Sequence, residues 1–213
     1  MADLAKPGAG PRRWLVAMAR EPRCGAVKTR LARDIGAVTA TGFYRRTLAN
    51  ICRRLAHDPR WRMCLAVSPD IAAGSGIWPP GVLLIPQGPG DLGVRMQRVF
   101  DGLPPGPAVI IGTDIPQISA PHIAAAFRLL GSHDAVFGPA GDGGYWLAGL
   151  RRSPRVPAIF ANVRWSSAHT LADTLANLKD ASVSLTESLC DVDDETSHRR
   201  LGPAGTRLIL PRG

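Results

Sequence analysis

Lysine is scarce in this chain, and so are the residue patterns that hold metals or disulfides. Only Lys6, Lys28 and Lys179 occur among 213 residues, although Lys and Arg number 26 against 17 acidic residues, for a formal net charge of +9. Cys24, Cys52, Cys64 and Cys190 form no CxxC pair, and the five histidines show no HExxH spacing, which argues against structural zinc and a disulfide scaffold. Aromatic residues make up 6% of the chain and do not interleave with basic clusters, so nucleic acid is not an expected partner. No apolar run reaches the length of a membrane span, and residues 1–13 lack the apolar centre of a signal peptide. The expectation is a loose tail over 1–13, a single domain over 14–213, and a cytoplasmic protein.

The basic excess would suit an anionic ligand. It is carried almost wholly by arginine in a chain rich in Ala, Gly and Pro, however, where compositional bias explains it equally well. More specific is the run Ala108-Val109-Ile110-Ile111, which breaks into Gly112-Thr113-Asp114-Ile115-Pro116. A carboxylate thus stands where an apolar strand leaves a parallel sheet, the place at which open α/β sheets bind ligands. There Asp114 could hold Mg²⁺ against a phosphate, with Gly112 allowing close backbone approach and Pro116 stiffening the exit. An Asx turn or a helix cap is the alternative for such an aspartate.

The remaining pattern alternates strands and helices. Strands are expected over 14–19, 61–67, 82–85, 134–137, 145–150 and 183–185, besides the one ending at Asp114. Apolar stripes at helical spacing run through Tyr44, Leu48, Ile51 and Leu55, with arginines facing away, and through Met96, Val99, Phe100 and Leu103. Another helix begins near Lys28, Ser119 caps one carrying Ile123, Phe127 and Leu130, and Leu171, Leu175 and Leu178 mark a late one. This alternation predicts an α/β sheet with helices on both faces.

Four further loops carry candidate chemistry. Residues 20–31 follow the first strand and open a helix, so Lys28, Arg30, backbone N–H groups and the positive helix end could neutralise phosphate; Val27 before Lys28 rules out a Walker A loop. Gly88, Gly90 and Gly93 satisfy GxGxxG after a strand, which raises a dinucleotide site as the main rival, but Pro89 removes a donor and Asp91 puts negative charge where a pyrophosphate would sit. In the stretch Gly138 to Trp146, Asp142, Gly143 and Gly144 permit close backbone approach to a ligand, with Tyr145 or Trp146 as a pocket wall; an Asp-Gly hairpin turn is the alternative. Finally, the acidic cluster 191–195 could add a second metal ligand to Asp114 or cap a helix.

Taken together, Lys28-Thr29-Arg30-Leu31, Gly90-Asp91-Leu92-Gly93 with Arg95-Met96, Gly112-Thr113-Asp114-Ile115-Pro116, Gly138-Pro139 with Asp142-Gly143-Gly144-Tyr145, and Trp165-Ser166-Ser167 resemble the bacterial glycosyltransferase-A-type proteins of the nucleotide-diphospho-sugar transferase superfamily. These are similar in turn to 2-phospholactate guanylyltransferase and molybdenum cofactor guanylyltransferase. The resemblance runs from about Trp14 to about Leu201. It implies a Rossmann-like, mostly parallel sheet and a transferase that uses Mg²⁺ or Mn²⁺. Asp114, with Asp193 as second ligand, would bind the metal; Lys28 and Asp114 would be catalytic.

By the same resemblance, Arg20, Lys28, Arg30 and Thr113 belong to the nucleotide site, with Gln87, Gly88, Asp91 and Gly93 near base and ribose. Asp142, Gly143, Gly144, Tyr145 and Trp165 would face the acceptor or sugar. The expected partners are a nucleotide or nucleotide-sugar substrate and an acceptor, with a homodimer left open. Glycosyl transfer is the favoured reaction, nucleotidyl transfer to a phosphorylated small molecule the alternative, and an inactive nucleotide-binding protein the third.

Overall fold

The structure is a computed structural model and describes residues 13–153 and 156–190. The tail expected over 1–13, apart from Arg13, and the acidic cluster with Asp193 lie outside the described residues. In chain order the elements are β1 (Trp14–Arg20), α1 (Thr29–Ile35), α2 (Ala37–Leu55), β2 (Arg62–Ser68), β3 (Leu83–Pro86), α3 (Leu92–Gly102) and β4 (Ala108–Ile111). They continue with α4 (Ala120–Leu129), β5 (Ala135–Pro139), β6 (Tyr145–Leu150), α5 (Thr170–Ala176) and β7 (Val183–Leu185). The seven strands form one sheet in the order β3-β2-β1-β4-β6-β5-β7.

Most neighbours are parallel; only β6 runs against both β4 and β5. The crossover from β4 through α4 to β5 leaves a gap one strand wide, and β6 turns back through a tight hairpin to fill it. Sequence periodicity locates β6 but not its direction, because a strand buried on both faces is apolar throughout whichever way it runs. All four residues of β4 are buried, as are five of the six in β6.

Alternate residues of β1 feed two separate cores. Leu15, Ala17 and Ala19 pack with the stripe Tyr44, Leu48, Ile51 and Leu55 of α2 and with Ile123, Ala126 and Phe127 of α4. Trp14 and Val16 point the other way, toward Met96, Val99 and Phe100 of α3, with Leu171 and Leu175 of α5 packed alongside. The period of two along the strand and of 3.6 along the helices therefore meet on both faces, as the sequence pattern requires. Ser119 caps α4 as expected, in a capping box whose reciprocal bond runs from the Ser119 N–H to Nδ1 of His122 at 3.2 Å.

Two expectations need correction. The arginines of α2 do not merely face away: Arg45 donates to the carbonyl of Pro22 at 3.1 Å, and Arg54 to that of Pro116 at 2.6 Å. The helix thus holds the loops that leave both β1 and β4. The helix opened by the first loop, α1, has only seven residues, too short for its end to be a strong anion site on its own.

At the far edge, Asp134 joins three pieces of chain. Its Oδ2 accepts from the backbone N–H and hydroxyl of Ser182 at 2.9 and 2.7 Å, and Oδ1 meets the guanidinium of Arg151 just after β6. The Ser182 hydroxyl, its backbone N–H and Arg151, in that order, pull the Asp134 pKa from 3.8 down to about 2. A depressed carboxylate stabilises the fold above its unfolded pKa, and that contribution fades as pH falls toward the folded value. Urea unfolding of Asp134→Asn beside the parent should therefore show a stability deficit that is constant above about pH 5 and vanishes near about pH 2. A deficit independent of pH would mean that the charge of Asp134 contributes nothing.

Candidate functional site

Strand order places a crevice before any side chain is considered. From β1 the chain moves outward to β2 and β3, then returns to lay β4 on the other side of β1. Loops leaving β1 and β4 must diverge there, which opens the switch point at which α/β sheets bind ligands. A cleft of about 660 Å³ occupies this position. Arg20, Lys28, Arg30, Gln87, Asp91, Thr113, Asp114 and Tyr145, eight of the residues anticipated from sequence, line it.

Lys28 and Asp114 meet at the centre. Nζ of Lys28 lies 2.8 Å from Oδ1 of Asp114; the lysine side chain is only 4% exposed, whereas the aspartate side chain is 47% exposed. Lys28 precedes α1 in a left-handed conformation, φ 49° and ψ 45°, which costs a non-glycine residue about 1 kcal/mol or more. The ammonium is thus held inward against the carboxylate and is not a solvated loop charge. Behind the pair, the buried Tyr44 hydroxyl accepts from the Arg20 N–H at 2.9 Å and lies 3.3 Å from Oγ1 of Thr113. Thr113 in turn donates to the carbonyl of Met18 at 3.1 Å, so the ends of β1 and β4 are tied together. Burial raises the Tyr44 pKa and keeps the phenol protonated.

The glycine-containing loop after β3 forms another wall, but not as a dinucleotide fingerprint. Asp91 caps α3, its Oδ1 accepting from the Val94 N–H at 2.9 Å, so a carboxylate already fills the helix end that a pyrophosphate would need. The Gly88 N–H donates to Asp70 at 2.9 Å instead of facing the cleft. At Gly93 a Cβ would stand 2.6 Å from the Trp165 ring, so this glycine serves packing. Gln87 is buried, and its Nε2 donates to the carbonyls of Ala19 at 3.1 Å and Ala66 at 2.7 Å. Both amide protons are thereby committed to the ends of β1 and β2, and only the Gln87 oxygen can serve a ligand.

The third loop divides. Tyr145 and Trp146 reach the cleft, whereas Asp142 closes its own turn by accepting from the Gly144 N–H at 2.9 Å. Gly143, at φ 85°, packs against the backbone of Ala168. Trp165 lies behind the wall on Phe160, and its neighbour Ser166 lines the cleft. Sequence reasoning gave no site role to Tyr44, Ser68, Arg95 or Ser166, although Arg95 and Ser166 belong to the motifs that carry the resemblance. A signal existed for two of them: Tyr44 is a hydroxyl-bearing member of an apolar stripe, and Arg95 follows Asp91 by one helical turn. Arg95 bonds the Gly90 carbonyl at 2.7 Å and the Ser68 hydroxyl at 3.3 Å.

The profile of the family DUF2064, described as uncharacterized proteins conserved in bacteria, matches residues 49–167. The chain belongs to this family. The DUF2064 segment contains the walls built by Gln87, Arg95, Asp114 and Tyr145, while the loop bearing Arg20, Lys28 and Arg30 precedes it. No curated protein matches the sequence. Among solved structures, the fold is similar to a Desulfovibrio desulfuricans G20 protein provisionally described as a nucleotide-diphospho-sugar transferase, at 26% identity and TM-score 0.81, covering 93% of this chain and 90% of the other. A 4-diphosphocytidyl-2C-methyl-D-erythritol synthase from Anaerococcus prevotii DSM 20548 is 10% identical with TM-score 0.57, over 93% and 100%. Rv0371c of Mycobacterium tuberculosis H37Rv in complex with manganese is 15% identical with TM-score 0.50, over 89% and 97%. The chain therefore has the mixed α/β, mostly parallel fold of nucleotide-diphospho-sugar transferases.

Whether a DUF2064 cleft of this kind suits a divalent cation can be tested on its donors. No group of three or more His, Cys, Asp or Glu converges among the described residues. Mg²⁺ nevertheless needs only one or two carboxylates when substrate phosphates and water complete its shell. Asp114, half-exposed in the cleft, fits a cation that arrives on a phosphate better than one caged by protein alone. The committed amide of Gln87 gives a separate prediction. Gln87→Leu should lower stability by about 1 kcal/mol or more, because two buried carbonyls each lose a side-chain donor and the amide oxygen its place. Denaturant titration checks this; a folded variant of unchanged stability would leave Gln87 with a ligand-facing role alone.

Proposed function

We propose that the protein is a transferase that binds a nucleotide or nucleotide sugar with its diphosphate in the cleft at the ends of β1 and β4. The observation that carries this reading is one cleft lined by Arg20, Lys28, Arg30 and Arg95 together with Asp114, the one lining carboxylate among the described residues that is not committed to a helix cap. Such a set suits a diphosphate, whose charge grows as a bond to it breaks. Arg20 at the end of β1 and Arg30 in the first turn of α1, both exposed, orient phosphate oxygens, and Arg95 meets them from the α3 side. A divalent cation held by Asp114 would supply further neutralisation of the leaving diphosphate. The similarity to the Desulfovibrio desulfuricans protein across nearly the whole chain supports a nucleotide sugar as the donor.

In the glycosyltransferase reading, the bond from the sugar carbon to the phosphate oxygen breaks, and Tyr145, at the border of the cleft, offers an aromatic face for the sugar or acceptor. Nucleotidyl transfer is the second reading. It is favoured by the cations Arg20, Lys28 and Arg30 between the end of β1 and the start of α1, where an attacked α-phosphorus and its pyrophosphate would both need neutralising. Release of nucleoside diphosphate identifies the first reaction, and release of pyrophosphate the second. Binding without either product marks a nucleotide-binding protein that has no transfer activity.

Asp114→Asn keeps the shape of the side chain and removes its charge. The variant should fold, lose Mg²⁺- or Mn²⁺-assisted nucleotide binding by about tenfold or more, and show little turnover. Calorimetric titration of nucleoside di- and triphosphates and nucleotide sugars, with metal and with EDTA, checks this beside circular dichroism. Metal-assisted binding equal to the parent's would remove Asp114 from the mechanism.

A further inference from the structure

We propose that Lys28 is a resident monovalent cation on Asp114, excluding a divalent ion from the free protein and releasing the carboxylate only when phosphate oxygens draw the ammonium away. The inference rests on the nucleotide-binding reading above and concerns the order of events at the same site. Its basis is the asymmetry of the pair. The Lys28 side chain is almost wholly enclosed, and its Nζ stands 2.8 Å from Asp114 Oδ1; the carboxylate itself is open to the cleft. A second observation is the left-handed backbone of Lys28, a conformation that persists only where surrounding contacts hold it.

Chemistry then sets the order. A divalent ion approaching Asp114 meets a like charge held close to the same carboxylate, in a partly enclosed space where Coulomb forces are screened less than in water. It also finds no convergent protein ligands among the described residues to offset the loss of its hydration shell. Metal alone should therefore bind weakly. A nucleoside diphosphate changes both conditions at once: its oxygens give the ammonium a new partner and complete the shell of the ion. Arg20, Arg30 and Arg95 already line the cleft and attract the phosphates. Metal and nucleotide binding are then coupled reciprocally, since each raises the affinity of the other by the same factor.

Mn²⁺ binding to the full chain, followed by electron paramagnetic resonance without nucleotide, tests the exclusion. The parent should bind Mn²⁺ weakly, Lys28→Met at least about tenfold more tightly, and the double variant Lys28→Met/Asp114→Asn no better than the parent. Adding ADP, GDP, CDP or UDP should tighten Mn²⁺ binding in the parent far more than in Lys28→Met. Equal Mn²⁺ affinity of a folded Lys28→Met and the parent overturns the proposal. If Lys28→Met does not fold by circular dichroism, Lys28→Gln takes its place. If neither folds, the parent decides: Mn²⁺ bound as tightly alone as with nucleotide overturns the proposal, and strong coupling supports it. Should no nucleotide bind under any condition, the nucleotide-site reading and the handover to phosphate both fail, while the Mn²⁺-alone comparison still decides whether Lys28 excludes the ion.

Discussion

The contact between Lys28 and Asp114 organises the cleft because of what each partner would cost without the other. An enclosed ammonium deprived of its carboxylate would carry a desolvation penalty of several kcal/mol, whereas Asp114 faces the open cleft and can be hydrated. The pair therefore binds the loop after β1 to the exit of β4 mainly on behalf of the lysine. Arg45 and Arg54 of α2 fasten the same two loops from behind through the carbonyls of Pro22 and Pro116. The result is a crevice with anchored walls, whose central charge is balanced by two side chains able to take other partners.

Under this pair lies a layer of polar groups that hold strand ends and do not face a ligand. Tyr44 and Thr113 join β1 to β4, and Gln87 joins β1 to β2. A carbonyl oxygen has two lone pairs, so one near the end of a strand can accept from a side chain even where the ladder already supplies a donor. Side-chain donors from neighbouring elements meet such carbonyls and so set the floor of the cleft. Above this layer, Arg20, Arg30, Arg95, Asp114 and Tyr145 line the cleft itself.

The alternation of apolar periods in the sequence was enough to read the elements and the two-faced core, since Leu15, Ala17 and Ala19 and then Trp14 and Val16 each meet the helical stripe their spacing implies. It was also enough to choose the loops after β1 and β4, because Lys28 and Asp114 are charges placed where buried strands end. Candidate residues separated at the level of side-chain direction. Asp142, Gly88 and Gly93 occupy the anticipated segments, yet a turn bond, donation from the Gly88 N–H to Asp70 and the Trp165 ring account for them.

Local pattern by itself determined which segments are strands and helices, which loops carry charge, and that Asp91 would spoil a dinucleotide turn, because each depends on residues close along the chain. Tertiary structure alone decided the rest. The reversed direction of β6, the inward turn of Lys28, and the use of Tyr44, Gln87 and the arginines of α2 as fastenings all depend on groups far apart in sequence. A buried donor or charge must find a partner wherever the fold brings one, and sequence spacing carries no record of which partner that is.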